Sequence, residues 1–109
     1  MKHDRFEDIL DARLKRIRDV LVVKTEEYAT DDQLHNIRQA AALQGVGMPQ
    51  AVAGMMAKHT VSIFTMIADG KPHDVTKWDE KITDHIVWLI LLEAALIDNA
   101  NPDQGSLPC

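Results

Sequence analysis

The stretch TKWDEKITDHIVWLILLEAAL, residues 76–96, is the one whose reading decides the fold. Trp78, Ile82, Ile86, Leu89, Leu92 or Glu93, and Leu96 recur in steps of three and four, the signature of one helical face. Ile86 to Leu92 is apolar without a break, so this helix is expected at the centre of the fold or in a seam between subunits. Thr76 and Asp79 have the spacing of a capping box in which Asp replaces the usual Glu or Gln, and the helix is expected to run to about Asn99.

Upstream, the same periodicity repeats three times. Pro49 suits the first turn of a helix that reaches about Ala68, with Val52, Met55, Met56, Ile63, Met66 and Ile67 on its apolar side. Gly54 with Ala51, Ala53 and Ala57 would let a neighbouring helix come close. Asp69-Gly70-Lys71-Pro72 then reads as a turn. Before Pro49, a helix from roughly Asp32 to Gln44 turns Leu34, Ile37, Ala41 and Leu43 inward and is stopped by Gly45-Val46-Gly47. The first helix runs from Asp4, its expected N-cap, to about Ala29, with Phe6, Ile9, Leu10, Leu14, Ile17, Val20, Leu21 and Tyr28 as its apolar positions. Val20 to Val23 is apolar all round, which calls for burial on several sides or a second subunit. At ~1.5 Å per residue this helix is about 40 Å long, a further reason to expect association.

The expected fold is therefore all-α: a four-helix bundle-like domain over residues 1–100, followed by a flexible, disordered tail over 101–109. No strand pattern and no repeat occurs. The net charge of −5, from 12 basic and 17 acidic residues, argues against general nucleic-acid binding, which needs concentrated Lys and Arg. The one cysteine is Cys109, so no intramolecular disulfide forms, as in a reducing cytoplasm. No unbroken apolar run approaches the ~20 residues that span a bilayer, and no signal-peptide core follows Met1. A cytoplasmic protein without membrane contact is expected.

Few residues stand out chemically. Glu80 and Asp84, four apart, put two carboxylates on one helical face about one turn apart, a pair that can grip a hard cation such as Mg²⁺. First-turn acids also serve as capping and solvation, so both readings stand. Glu26 and Glu27 near the end of the first helix oppose its dipole, and either a cation or nearby Lys24 would account for them. His59 shares a face with Met55, Met56 and Ile63, as a hydrogen-bonded core histidine or as a ligand, and Lys58 could meet a phosphate as a point charge. His35, Asn36 and Arg38 could read a base or phosphate, or face water. His85, beside Asp84, could support a cation from a second layer or simply pack. Zinc-ligand spacing, a phosphate loop and a nucleophile elbow are all missing from the sequence.

Lys24-x-x-Glu27-Tyr28-Ala29, Leu34-His35-Asn36, Lys58-His59 and Trp78-Asp79-Glu80-Lys81-Ile82-x-Asp84 together resemble small phage and prophage proteins of the nucleotide-modification-associated group. That group is similar to the all-α nucleotide pyrophosphohydrolase superfamily of MazG-like and helical dUTPase-like proteins, and the resemblance covers roughly residues 20–97. It implies a homo-oligomer, a dimer or higher, in which acids from two helices gather Mg²⁺ around the phosphates of a nucleoside triphosphate. Glu27, Glu80 and Asp84 would be the metal ligands. Lys24, Tyr28, His35, Asn36, Arg38, Lys58 and His59 would be the nucleotide-binding residues. The chain departs from the superfamily's pattern at three points: Thr30 stands where an E-E-x-x-E run would end in an acid, Glu80 and Asp84 lie one residue wider than E-x-x-D, and Val87-Trp88 replaces Asn-Tyr. The activity implied is a Mg²⁺-dependent nucleoside triphosphate pyrophosphohydrolase. Fewer acids leave open a non-catalytic nucleotide binder that sequesters its ligand. The surplus apolar surface leaves open a helical protein-interaction or inhibitor module.

Overall fold

Helix ends are where the chain's local chemistry is most visible. The computed structural model describes residues 1–27 and 32–100, with the side chains of residues 23–27 excepted. It contains four helices: α1 (His3–Glu27), α2 (His35–Gln44), α3 (Met48–Ala68) and α4 (Val75–Ala100). The all-α, four-helix class is as expected, and no strand occurs among the described residues. The tail expected over residues 101–109 lies outside them. The chain is described as two compact units, Met1–Asp31 and Asp32–Cys109.

The first unit is α1. Asp4 lies inside its first turn instead of capping it, where a negative charge still suits the helix N-terminus. Phe6, Ile9, Leu10, Leu14 and Val22 are exposed. Of the apolar quartet, Val20 and Leu21 are half-buried, Val22 is not, and the side chain of Val23 lies outside the description.

In the second unit α3 packs against both α2 and α4. Asp32, expected as the first residue of α2, instead precedes it: its carboxylate accepts the Leu34 N–H at 3.0 Å and its carbonyl accepts the His35 N–H at 3.1 Å. Gly45 ends α2 in the left-handed region (φ 69°), with the Val46 N–H on the Ala41 carbonyl and the Gly45 N–H on the Ala42 carbonyl. That is a Schellman motif, which needs the residue without a Cβ at that position. The chain re-enters a helix at once, with Pro49 in the first turn of α3.

The α3–α4 turn is tied by Asp69, whose carboxylate accepts the Lys71 N–H at 2.8 Å and lies 2.9 Å from His73 Nε2. The Lys71 N–H, reinforced by His73, holds the Asp69 carboxyl below its ordinary range. His73 then meets Trp78 edge to face, fastening the turn onto α4. The N-cap of α4 is Asp74, not Thr76: the Asp74 carboxylate accepts the Thr76 N–H at 2.8 Å and its carbonyl accepts the Trp78 N–H. Thr76 therefore sits one residue inside the helix, and the expected capping box is not the device used.

The core is built from smaller side chains than the sequence suggests. Leu34, Ile37 and Ala41 of α2 are buried as expected, but Leu43 is 88% exposed. On α3, Met48, Ala51, Val52 and Met66 are buried, while Ile67 faces water. Of the small residues offered for close approach only Ala51 is used; a Cβ at Gly54 would meet nothing within 4 Å. On α4 the buried row is Thr83, Val87, Leu91 and Ala95. The expected row is displaced from it: Ile82, Leu89 and Leu96 are exposed. Because α4 is apolar nearly all round, periodicity leaves its face open; α3 comes closest where α4 is slim, and the bulkier side chains stay outside. α3 is the one described helix long and apolar enough to cross a membrane by length and composition.

Candidate functional site

The midpoints of α3 and α4 bring together the residues with chemistry. His59 and Thr60 share a turn of α3, and Asp84, His85 and Trp88 lie within about one turn of α4. Thr60 Oγ1 and His85 Nε2 are 3.0 Å apart, so His85 cross-links the two helices. His59 stacks on Trp88, with ring centroids 6.4 Å apart at 27°. Its Nδ1 lies 3.9 Å from Asp84 Oδ2, too far for a hydrogen bond. Burial pushes the His59 pKa down; Asp84 opposes that shift, and Lys58, Lys81 and His85 reinforce it. Burial thus disfavours the charged imidazole beside the carboxylate, and the Asp84 side chain keeps 50% of its surface in solvent.

Glu80, one turn before Asp84, is exposed, as is Lys58 beside His59. Glu80 and Asp84, four residues apart, reach solvent from α4 about one turn from each other. The third expected metal ligand, Glu27, belongs to the last turn of α1, and its side chain and that of Lys24 fall outside the described residues; Tyr28 falls outside them altogether. Among the described residues no group of three or more His, Cys, Asp or Glu gathers as a metal site. Two carboxylates nevertheless fit Mg²⁺, which takes one or two from a protein and completes its shell with water and phosphate oxygens.

The remaining candidates sit at the other end of the unit. His35 and Asn36 open α2, His35 half-buried and Asn36 exposed. Arg38 is held by two carboxylates: its Nε lies 2.6 Å from Asp32 Oδ2, and its Nη2 bonds Asp98 near the end of α4. The hydrogen bond to Asp98 and then that to Asp32 raise the Arg38 pKa. Burial opposes ionisation of Asp32, but the bonds from Arg38 and from the Leu34 N–H outweigh it and lower its pKa. Asp98 is 18 residues beyond Glu80, about 27 Å along one helix. Within one unit, then, His59 lies beside Asp84 and Arg38 is remote from it.

Trp88 and Lys81 were not among the residues expected at the site. The resemblance marks the Val87-Trp88 position as a departure, and Val87 proves to be part of the buried row, unavailable to a ligand. The adjacent Trp88 stacks on His59 instead; its aromatic character at that step was the available signal. No family model, no curated protein and no solved structure matches this chain.

Proposed function

We propose that this chain handles nucleoside triphosphates, with Glu80 and Asp84 as carboxylate ligands to a divalent cation and hydrolysis to release pyrophosphate as its activity. The observation that carries the reading is the Asp84 carboxylate. It is half in solvent, one helical turn from the exposed Glu80, and its Oδ2 lies 3.9 Å from His59 Nδ1, beyond hydrogen-bond reach. A Mg²⁺ ion bound there would neutralise phosphate charge and lower the pKa of its water. Lys58 adds positive charge for phosphate oxygens, and Trp88 with His59 offers a flat partner for a base. Glu27 as a further metal ligand, and Lys24, Tyr28, His35 and Asn36 as nucleotide contacts, are proposed from the sequence resemblance alone. Arg38, which the resemblance also offers, is bound to Asp32 and Asp98 and is left out of the proposed set.

The chain is further proposed to work as a cytoplasmic homo-oligomer, a dimer or higher. Phe64, 66% exposed, with Val61 and Ile67 on α3, supports this, as do Leu89, Ile90 and Leu96 on α4. The same surface favours, as a second reading, an interaction module without hydrolytic chemistry. The deciding experiment is pyrophosphate release from a panel of nucleoside triphosphates with Mg²⁺ or Mn²⁺ and with EDTA. Metal-dependent release that vanishes in Glu80→Ala, with helicity unchanged, is the expected result. No release from any member by the folded protein would overturn hydrolysis; ligand-induced thermal shifts would then separate a nucleotide binder from an interaction module.

A further inference from the structure

We propose that two copies of this chain associate through antiparallel pairing of α1, its acidic first half lying along the basic second half of the other copy. The inference rests on the oligomeric reading above and is independent of the nucleotide chemistry.

Two observations on α1 carry it. The first is an exposed ridge at four-residue spacing: Phe6, Leu10, Leu14, Arg18 and Val22. Rows of side chains four apart form the ridges that interdigitate when two helices pack. Four of the five are apolar and in water, and Leu14, the middle one, is 58% exposed. The second is the order of charges. Residues 2–11 carry four acids (Asp4, Glu7, Asp8, Asp11) against two bases (Lys2, Arg5); residues 12–22 carry four bases (Arg13, Lys15, Arg16, Arg18) against one acid (Asp19). Glu7 and Asp11 follow the ridge residues Phe6 and Leu10 by one position, so they flank the ridge in the first half. Lys15 and Arg18 flank or occupy it in the second, with Lys15 held 3.0 Å from Asp19.

These two features choose the occupant and its direction together. A parallel pair of identical helices in register sets acid against acid and base against base. An antiparallel pair crossing at Leu14 sets Glu7 and Asp11 of each copy beside Lys15 and Arg18 of the other, twice over by symmetry. Charged residues flanking an apolar seam select partner and orientation in this way. The ridge is centred on Leu14, with Phe6 and Val22 eight residues to either side and Leu10 and Arg18 four.

The test is the association constant of the full chain, by sedimentation velocity over a range of concentrations at low salt, for four proteins: wild type, Glu7→Lys/Asp11→Lys, Lys15→Glu/Arg18→Glu, and the variant carrying all four changes. Each charge-reversed pair should weaken association about tenfold or more. The four-fold variant, which exchanges acidic and basic flanks, should return to within about threefold of wild type. Helicity by circular dichroism checks that α1 stays folded, since lysines near a helix N-terminus oppose its dipole. An oligomeric wild type whose association is unchanged by either reversal overturns α1 pairing and leaves the oligomeric reading standing. So does a four-fold variant no better than the two reversals while its helicity is intact. A wild type that is monomeric throughout overturns both.

Discussion

The two clusters of the α2–α4 unit each set carboxylates near a basic side chain, and they end in opposite ways. At one end Arg38 bonds Asp32 and Asp98 and all three charges are spent on each other, tying α2 to the end of α4. About 21 Å away along α4, Asp84 faces a histidine whose charged form burial disfavours, beside an exposed Glu80. The first cluster is a clasp, and the second leaves its carboxylates in solvent. A basic residue close to a helix N-terminus looks like a phosphate binder in a sequence; whether it is one depends on acids far away in the chain, and Asp98 lies 60 residues from Arg38.

The largest effect that would break this comparison is at the open end. Asp84→Asn keeps the shape and removes the charge, and should cut metal-dependent pyrophosphate release by about a hundredfold or more, as expected when a group holding the cation is lost. Its melting temperature should hardly change, because the side chain is half in solvent. A large loss of stability with activity retained would make Asp84 a structural residue instead.

At the closed end the prediction is reversed. Arg38→Ala strips one partner from two carboxylates and should destabilise the fold by about 1 kcal/mol, a modest figure because all three side chains reach solvent. Metal-dependent activity per folded molecule should stay the same. Denaturant unfolding of the variant beside its activity measures both. Activity lost without any loss of stability would move Arg38 into the site and erase the contrast between the clusters.

Acid should also separate the two ends. Asp32 has a folded pKa below its ordinary 3.8, so the unfolded chain takes up its proton first as pH falls. Its contribution is present above that value and is lost as pH drops through the folded one. His59 is lowered from 6.5, so between 6.5 and its folded value the unfolded state again binds more protons. Stability therefore falls with acidification from pH 6.5 downward, well before Asp32 responds. Melting temperatures across pH 8 to 3 should show the upper step flattened in His59→Asn and the lower one flattened in Arg38→Ala. An upper step that survives His59→Asn would assign it to another group.

Much of this fold was legible in the sequence, and the parts that were not have a common cause. Helix number, the Gly45 stop and the inward Leu34, Ile37 and Ala41 follow from local spacing and glycine chemistry. The buried row of α4 does not, because seven consecutive apolar residues, Ile86 to Leu92, leave every face acceptable to periodicity. Which one turns inward is decided by close approach at small side chains: Ala95 and Ala51 are almost wholly buried while Leu89 and Leu96 are left outside. For the site, the Glu80/Asp84 spacing on one helix was readable, but that His59 of α3 comes within 3.9 Å of Asp84 depends on how the two helices pack. The closure of Arg38 was not readable, because it depends on a long-range ion pair. The same contrast makes Asp74 a better cap than Thr76: both precede an apolar run, and only the backbone path after Pro72 selects between them.

The smallest expected effect provides a control lying outside both clusters. Gly54 is in the interior of α3, and a Cβ there would meet nothing within 4 Å. Glycine in a helix interior costs about 0.5–1 kcal/mol relative to alanine, chiefly through the greater freedom of the unfolded chain. Gly54→Ala should therefore raise stability by that amount and leave both the Arg38 clasp and the Asp84 carboxylate as they are, so metal-dependent activity should be unchanged. The same open surface makes the substitution informative about assembly. If α3 meets another copy along the side that bears Gly54, the added methyl group falls in that contact, and the gain in stability measured at low protein concentration disappears or reverses as concentration rises. A gain that is the same at every concentration keeps Gly54 clear of any interface and leaves α1 as the helix whose charge order controls association.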